Sequence, residues 1–188
     1  MEAQNQHINQ LLERCKQQDT TAQMQIYKAY YKAMYNAAHR ILKDEFEAED
    51  IMQEAFLTAF TKLDMFKGEV AFGAWLKRIV INKSLTQLKK NNRYNEVKLE
   101  VVPNYEIVEE RIDYDTLNTS SVLQKINSLK DNYRVVLTLN LIEGYDYEEI
   151  AEILKITNEN VRTTVSRAKK KLKQLLLTET NKTQVYGR

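Results

Sequence analysis

The chain has 188 residues with 28 basic and 26 acidic side chains, a net charge of +2 and a mean hydropathy of −0.56, which suits one domain or two small ones. Four glycines and one proline, where average usage for the pair is roughly 12%, leave too little turn chemistry for an all-β fold, so an all-α protein is expected. One cysteine, Cys15, and two histidines, His7 and His39, exclude an intrachain disulfide and a thiolate metal site and fit a reducing cytosol.

The start MEAQNQHINQ is too polar for a signal peptide. The longest apolar stretch, 135–142, is broken by Thr138 and Asn140 and falls far short of the roughly 18 residues of a membrane span, so no membrane insertion is expected. Charge divides the chain in three. Residues 1–90 carry 13 basic and 11 acidic side chains, residues 91–121 carry 3 and 7, and residues 122–188 carry 12 and 8. The middle piece holds the only proline, Pro103, and shows no sustained helical period, which predicts an acidic, largely irregular linker at 93–121 between helical domains at 1–92 and 122–188.

In chain order, a short helix is expected around Ile8 to Cys15. A long amphipathic helix from Thr20 to Leu42 follows, because Ile26, Tyr27, Tyr30, Tyr31, Met34, Ala38, Ile41 and Leu42 recur at three-to-four spacing. Two more run from about Glu47 to Leu63, with Ile51, Ala55, Phe56, Ala59, Phe60 and Leu63 inward, and from Phe72 to Lys90, with Phe72, Trp75, Leu76, Ile79 and Val80 inward. Residues 64–70 join them. Aromatic residues at this spacing serve either as core or as a base-stacking platform.

Beyond the linker, a helix from Asn132 to Glu143 is stopped by Gly144. Asp146 and Glu149 form a capping-box pattern ahead of Tyr147 to Leu154. After the turn Lys155-Ile156-Thr157, Thr157 caps a second helix on which Val161, Val165, Ala168, Leu172 and Leu175 line one stripe and polar residues the other faces. This is a helix-turn-helix pattern. It places the second helix in a DNA major groove, with its early residues at base edges and the run Arg167 to Lys173 near phosphates, although a basic helix end by itself equally serves as dipole-compensating surface.

These stretches resemble the bacterial sigma factors of the extracytoplasmic-function (ECF) group. Residues 128–176, with EGYDYEEIAEIL and VRTTVSRAKKKL, look like the family's region four, and AEDIMQEAFLTAF with FGAWLKRIVINKSLTQLKKNNR looks like region two. Departures are Lys130 where the family usually has proline, Lys155 where it usually has glycine and Thr164 where it often has arginine. The resemblance implies a non-catalytic polymerase subunit without cofactor or metal, which binds core RNA polymerase through the coiled coil of the largest subunit and the flap, directs it to promoter DNA and promotes melting. An anti-sigma factor is a further candidate partner, and the expected location is cytoplasmic.

By the same resemblance, Asp50, Gln53, Glu54 and Phe56 form the polymerase-binding face, with Phe56 partly core. The loop 64–71, with Phe66, Lys67 and Gly68, and the start of the following helix capture a flipped non-template base of the minus-10 element, while Lys77, Arg78, Asn82, Lys83 and Gln87 hold the strand and the adjacent duplex. Asn158, Glu159, Asn160, Arg162, Thr163, Ser166, Arg167 and Lys170 face the minus-35 element. The linker is implied to thread through the polymerase. The acidic cluster Glu45, Glu47, Glu49, Asp50 and Glu54 suits a helix N-terminus and a solvated face, or a metal. Two other classes share parts of the pattern: a helix-turn-helix regulator with a sensing or dimerising first domain, and a helical adaptor that binds only proteins.

Overall fold

Asp19, Asp44 and Asp146 each precede a run of apolar residues at helical spacing, and each carboxylate caps a helix. Asp19 accepts from the backbone N–H groups of Thr21 and Ala22, Asp44 from Glu47, and Asp146 from Glu148 and Glu149. The computed structural model describes residues 2–92 and 119–185, with side chains described for 6–91 and 119–177. Eight α-helices, joined by single-turn helical segments, make up the regular structure of those residues. The linker expected at 93–121 lies outside the described residues as far as 118.

The chain divides into two units, residues 1–95 and 96–188. The first contains α1 (Glu2–Lys16), α2 (Thr20–Leu42), α3 (Glu45–Thr61), a 3-10 turn (Leu63–Met65) and α4 (Phe72–Asn92). α2 packs against α1, α3 and α4, and its Ala22, Ile26, Met34, Ala37 and Ala38 are buried with Ile51, Met52, Ala55, Phe56, Phe72, Leu76 and Val80. Burying each large apolar side chain contributes about 1.5–3 kcal/mol. Burial also pushes the Tyr30 phenol and the Cys15 thiol above their ordinary pKa values, so both stay neutral. A Cβ on Gly73 would come within 2.7 Å of Tyr30 Cε1, so the glycine lets that ring lie against α4.

The second unit contains α5 (Thr119–Ser128), α6 (Asp131–Leu137), a π turn (Thr138–Ile142), α7 (Tyr147–Leu154) and α8 (Asn158–Val185). α8 packs on α5, α6 and α7, burying Val161, Val165, Ala168 and Leu172 with Val135, Val136, Ile150 and Ile153. Two expectations shift here. α5 was not anticipated and takes in Thr119, Ser120 and Ser121, which the sequence reading gave to the linker. The single helix expected from Asn132 to Glu143 begins at Asp131 and changes register, with Glu143 N–H donating to the Thr138 carbonyl five residues back at 3.0 Å. Gly144 then takes φ +80, the conformation that favours glycine.

Candidate functional site

Two surfaces of the first unit and one of the second carry the residues singled out from sequence. On α3, Asp50, Gln53 and Glu54 are exposed whereas Phe56 is only 3% exposed. Phe56 packs against Tyr27 at 4.9 Å between ring centroids and therefore supports the face from beneath. The helical period of 3.6 instead aligns Phe46, Asp50, Gln53 and Leu57 along one stripe. Phe46 is 82% and Leu57 68% exposed, so the stripe has an apolar side chain at each end and polar ones between. Sequence reasoning missed both apolar residues; the spacing 46, 50, 53, 57 would have found them.

The loop after α3 is held by aromatic packing. Phe66 lies 5.4 Å from Trp75 and 5.6 Å from Phe72 between centroids, which anchors the loop base, while Lys67 and Gly68 are exposed and Gly68 has φ +77 with open space around it. Behind the loop runs an open groove of about 660 Å³ between α3 and α4, lined by Leu57, Thr58, Thr61, Lys62, Met65, Trp75, Ile79, Asn82 and Lys83. Of these, Met65 and Trp75 belong to the loop and helix start expected to capture the base, and Asn82 and Lys83 to the set expected to hold the strand. The others were missed because the groove forms only when two helices meet.

α4 does not present its expected residues as a single row. At about 100° per residue, Asn82 follows Arg78 within one turn, but Lys77 stands about 140° from Asn82. Lys83 and Gln87 face α3. Lys83 Nζ lies 3.1 Å from Glu54 Oε2, and Gln87 Nε2 donates to Glu47 Oε1 at 3.0 Å. Asn91 Nδ2 donates to both Glu47 oxygens at 3.0 and 2.8 Å. The acidic cluster of α3 is thus divided between capping, helix pairing and solvent, and among the described residues no group of three or more His, Cys, Asp or Glu could hold a metal ion.

In the second unit the capping box closes in both directions: Glu149 N–H donates to Asp146 Oδ1 at 2.8 Å, and Asp146 N–H to Glu149 Oε2 at 2.9 Å. α7 ends at Lys155, which takes the left-handed conformation with φ 57 and ψ 47. Lys155 and Ile156 N–H both return to the Ala151 carbonyl. Thr157 Oγ1 accepts from Asn160 N–H at 3.3 Å, so α8 starts where expected. On α8, Glu159, Asn160, Arg162, Thr163, Ser166 and Arg167 are exposed, and Asn158 and Lys170 are half-buried. Arg162 Nε donates to Asn158 Oδ1 at 2.9 Å, which orients the guanidinium along the helix start. The Thr164 hydroxyl turns back to the Asn160 carbonyl. No helix among the described residues is long and apolar enough to cross a membrane.

Residues 26–94 match the family described as Sigma-70 region 2, and residues 119–172 the one described as Sigma-70, region 4. The chain is 30% identical over 181 residues to the ECF RNA polymerase sigma factor SigW of Bacillus subtilis, covering 90% of this chain and 96% of that one. It is 30% identical over 179 residues to the RNA polymerase sigma-H factor of Pseudomonas aeruginosa, covering 89% and 92%. The co-crystal structure of the sigma factor RpoE with the anti-sigma factor NepR from Bartonella quintana has a sigma chain similar to this one, with a TM-score of 0.56 and 25% identity over 82% of this chain and 96% of that chain. With both helical units matched and relatives aligned over nearly their full length, the chain belongs to the ECF group of RNA polymerase sigma factors.

Proposed function

We propose that this chain docks on core RNA polymerase through the exposed stripe of α3, reads and opens the minus-10 element with the α4 face and the groove behind the 66–68 loop, and reads the minus-35 element with α8. The observation that carries the reading is the groove. Trp75, Met65 and Ile79 supply apolar walls for an unstacked base, Asn82 supplies a donor and an acceptor for its edge, the Thr58 and Thr61 hydroxyls, which donate to the Glu54 and Leu57 carbonyls, supply acceptors, and Lys62 and Lys83 supply charge for the strand. Extruding a base costs a few kcal/mol, and such a groove offsets that cost only for a base that has left the duplex.

In the second unit, α8 offers Asn, Arg, Thr and Ser side chains at its start and Lys further along, the chemistry of base readout followed by phosphate anchoring. The acidic and apolar α3 stripe suits a basic helical partner. The Bartonella quintana relative is held by an anti-sigma factor, which supports an anti-sigma partner for this chain as well. Phosphodiester chemistry stays with the polymerase, and the chain acts wherever that enzyme does. The test is reconstitution with core polymerase, followed by run-off transcription and permanganate mapping of unpaired thymines. Promoter-dependent transcripts and reactive thymines at the minus-10 element are expected. Tight operator binding without polymerase would instead support an ordinary regulator.

A further inference from the structure

Glu54 belongs to two surfaces at once. It is an exposed carboxylate of α3 beside the Phe46–Leu57 stripe, one turn on from Asp50, and it is also the partner of Lys83 Nζ at 3.1 Å, a lysine that lines the groove. We infer that Glu54 masks Lys83 in the free chain, standing in for a nucleic-acid phosphate, and that a cationic partner engaging Glu54 hands the lysine over to the strand. The inference rests on the proposed assignment of α3 to polymerase and of α4 to DNA.

The Glu47 contacts at the other end of the two helices differ from this pair in a way that bears on exchange. Glu47 sits three residues after the Asp44 cap, where a glutamate usually reaches back to the cap's own N–H. Its carboxylate instead takes three hydrogen bonds from Gln87 and Asn91, fixing α4 against α3 at its far end. Glu47 is half-buried and fully engaged. Glu54 and Lys83 hold one contact between side chains that are 59% and 29% exposed, within reach of both solvent and a partner. An exposed ion pair of this kind is weak, so releasing it changes strand affinity by a few-fold, and the α3–α4 packing need not move.

The experiment uses the full chain and a fluorescein-labelled oligothymidylate followed by anisotropy at low salt. Glu54→Gln is expected to tighten binding by about two- to fivefold, and to have no effect when Lys83 is already alanine. Glu49→Gln, which removes the same charge from the same helix, separates a specific mask from general repulsion. Equal gains for the Gln variants at positions 54 and 49, or a gain that survives in the Lys83→Ala background, overturn the inference. A second arm adds the isolated coiled-coil segment of the largest polymerase subunit. Wild type is expected to gain oligothymidylate affinity on binding it, and Lys83→Ala to bind it without that gain. If the segment binds wild type with no change in oligothymidylate affinity, masking is wrong and the docking assignment stands. If the segment does not bind at all, the docking assignment itself fails.

Discussion

Phe46 gives the clearest separation of docking from folding. It stands at the start of α3 with 82% of its surface exposed, so truncating it removes almost nothing from the folded chain, and stability is expected to stay within about 0.5 kcal/mol of wild type. If the stripe Phe46–Asp50–Gln53–Leu57 docks on polymerase, most of that exposed ring becomes buried there. Full burial of a phenylalanine is worth about 1.5–3 kcal/mol. With some four-fifths of the ring available and a methyl retained by alanine, Phe46→Ala should cost about 1–2 kcal/mol of docking free energy, about five- to thirtyfold in Kd. Phe56→Ala, ten residues along the same helix but 3% exposed, should do the reverse, costing about 3–5 kcal/mol of stability. Titrating a fluorescent chain with core polymerase in the absence of DNA measures the first effect, and thermal unfolding the second. A Phe46→Ala chain that binds core polymerase as tightly as wild type would refute the assignment of the stripe.

Lys155 pays for a left-handed backbone, about 1–2 kcal/mol for a non-glycine residue, while glycine adds about 0.4–1 kcal/mol of unfolded-state entropy. Lys155→Gly should therefore stabilise the second unit slightly, raising its Tm by a few degrees in calorimetry, and Lys155→Val should lower it. Backbone hydrogen bonds from Ala22, then the Arg14 side chain, hold the Asp19 carboxyl below its ordinary pKa. Its contribution to stability is present above the unfolded carboxylate value of about 3.9 and is lost as pH falls through the lower folded value; an Asp19→Asn chain should show less of this acid loss in unfolding midpoints measured across pH. In run-off transcription across single-base minus-35 variants and several salt concentrations, Arg162→Ala should cost roughly 1–3 kcal/mol and relax preference at one position, whereas Lys170→Ala should weaken all sequences alike and lower the salt slope by about one. An Arg162→Ala chain that weakens every variant equally would remove Arg162 from base readout.

The elements read most directly from sequence are those with a cap, a period and a stop in register. α2 matches its expected span of Thr20–Leu42, and α7 with its Asp146–Glu149 box matches Tyr147–Leu154. α1 extends back to Glu2 through EAQNQH, which has no apolar stripe to announce a helix. α5 lacked a cap or a stop of its own in the sequence reading and adjoins the acidic stretch. The π turn at 138–142 is defined by hydrogen-bond register, which apolar spacing does not encode.

The site divides in the same way. The outer face of α8 follows from the apolar stripe on its other side, so its polar residues were identifiable in advance. The groove and the Glu54–Lys83 contact depend on residues 29 apart in the chain meeting across two helices, which no local pattern reveals. Phe56 was ambiguous because it lies both in the inward set and in the motif; burial against Tyr27 decides for the core.

The central claim is that promoter recognition belongs to this chain in combination with polymerase. Its most direct test is copurification with core polymerase followed by run-off transcription, set beside DNA binding by the isolated chain. A domain charge of only +2 in residues 1–90 and +4 in residues 122–188 gives modest electrostatic attraction, so promoter-specific transcripts are expected from the reconstituted enzyme and weak promoter binding from the chain alone. Nanomolar binding by the isolated chain in physiological salt, with no transcript from the reconstituted enzyme, would contradict that claim.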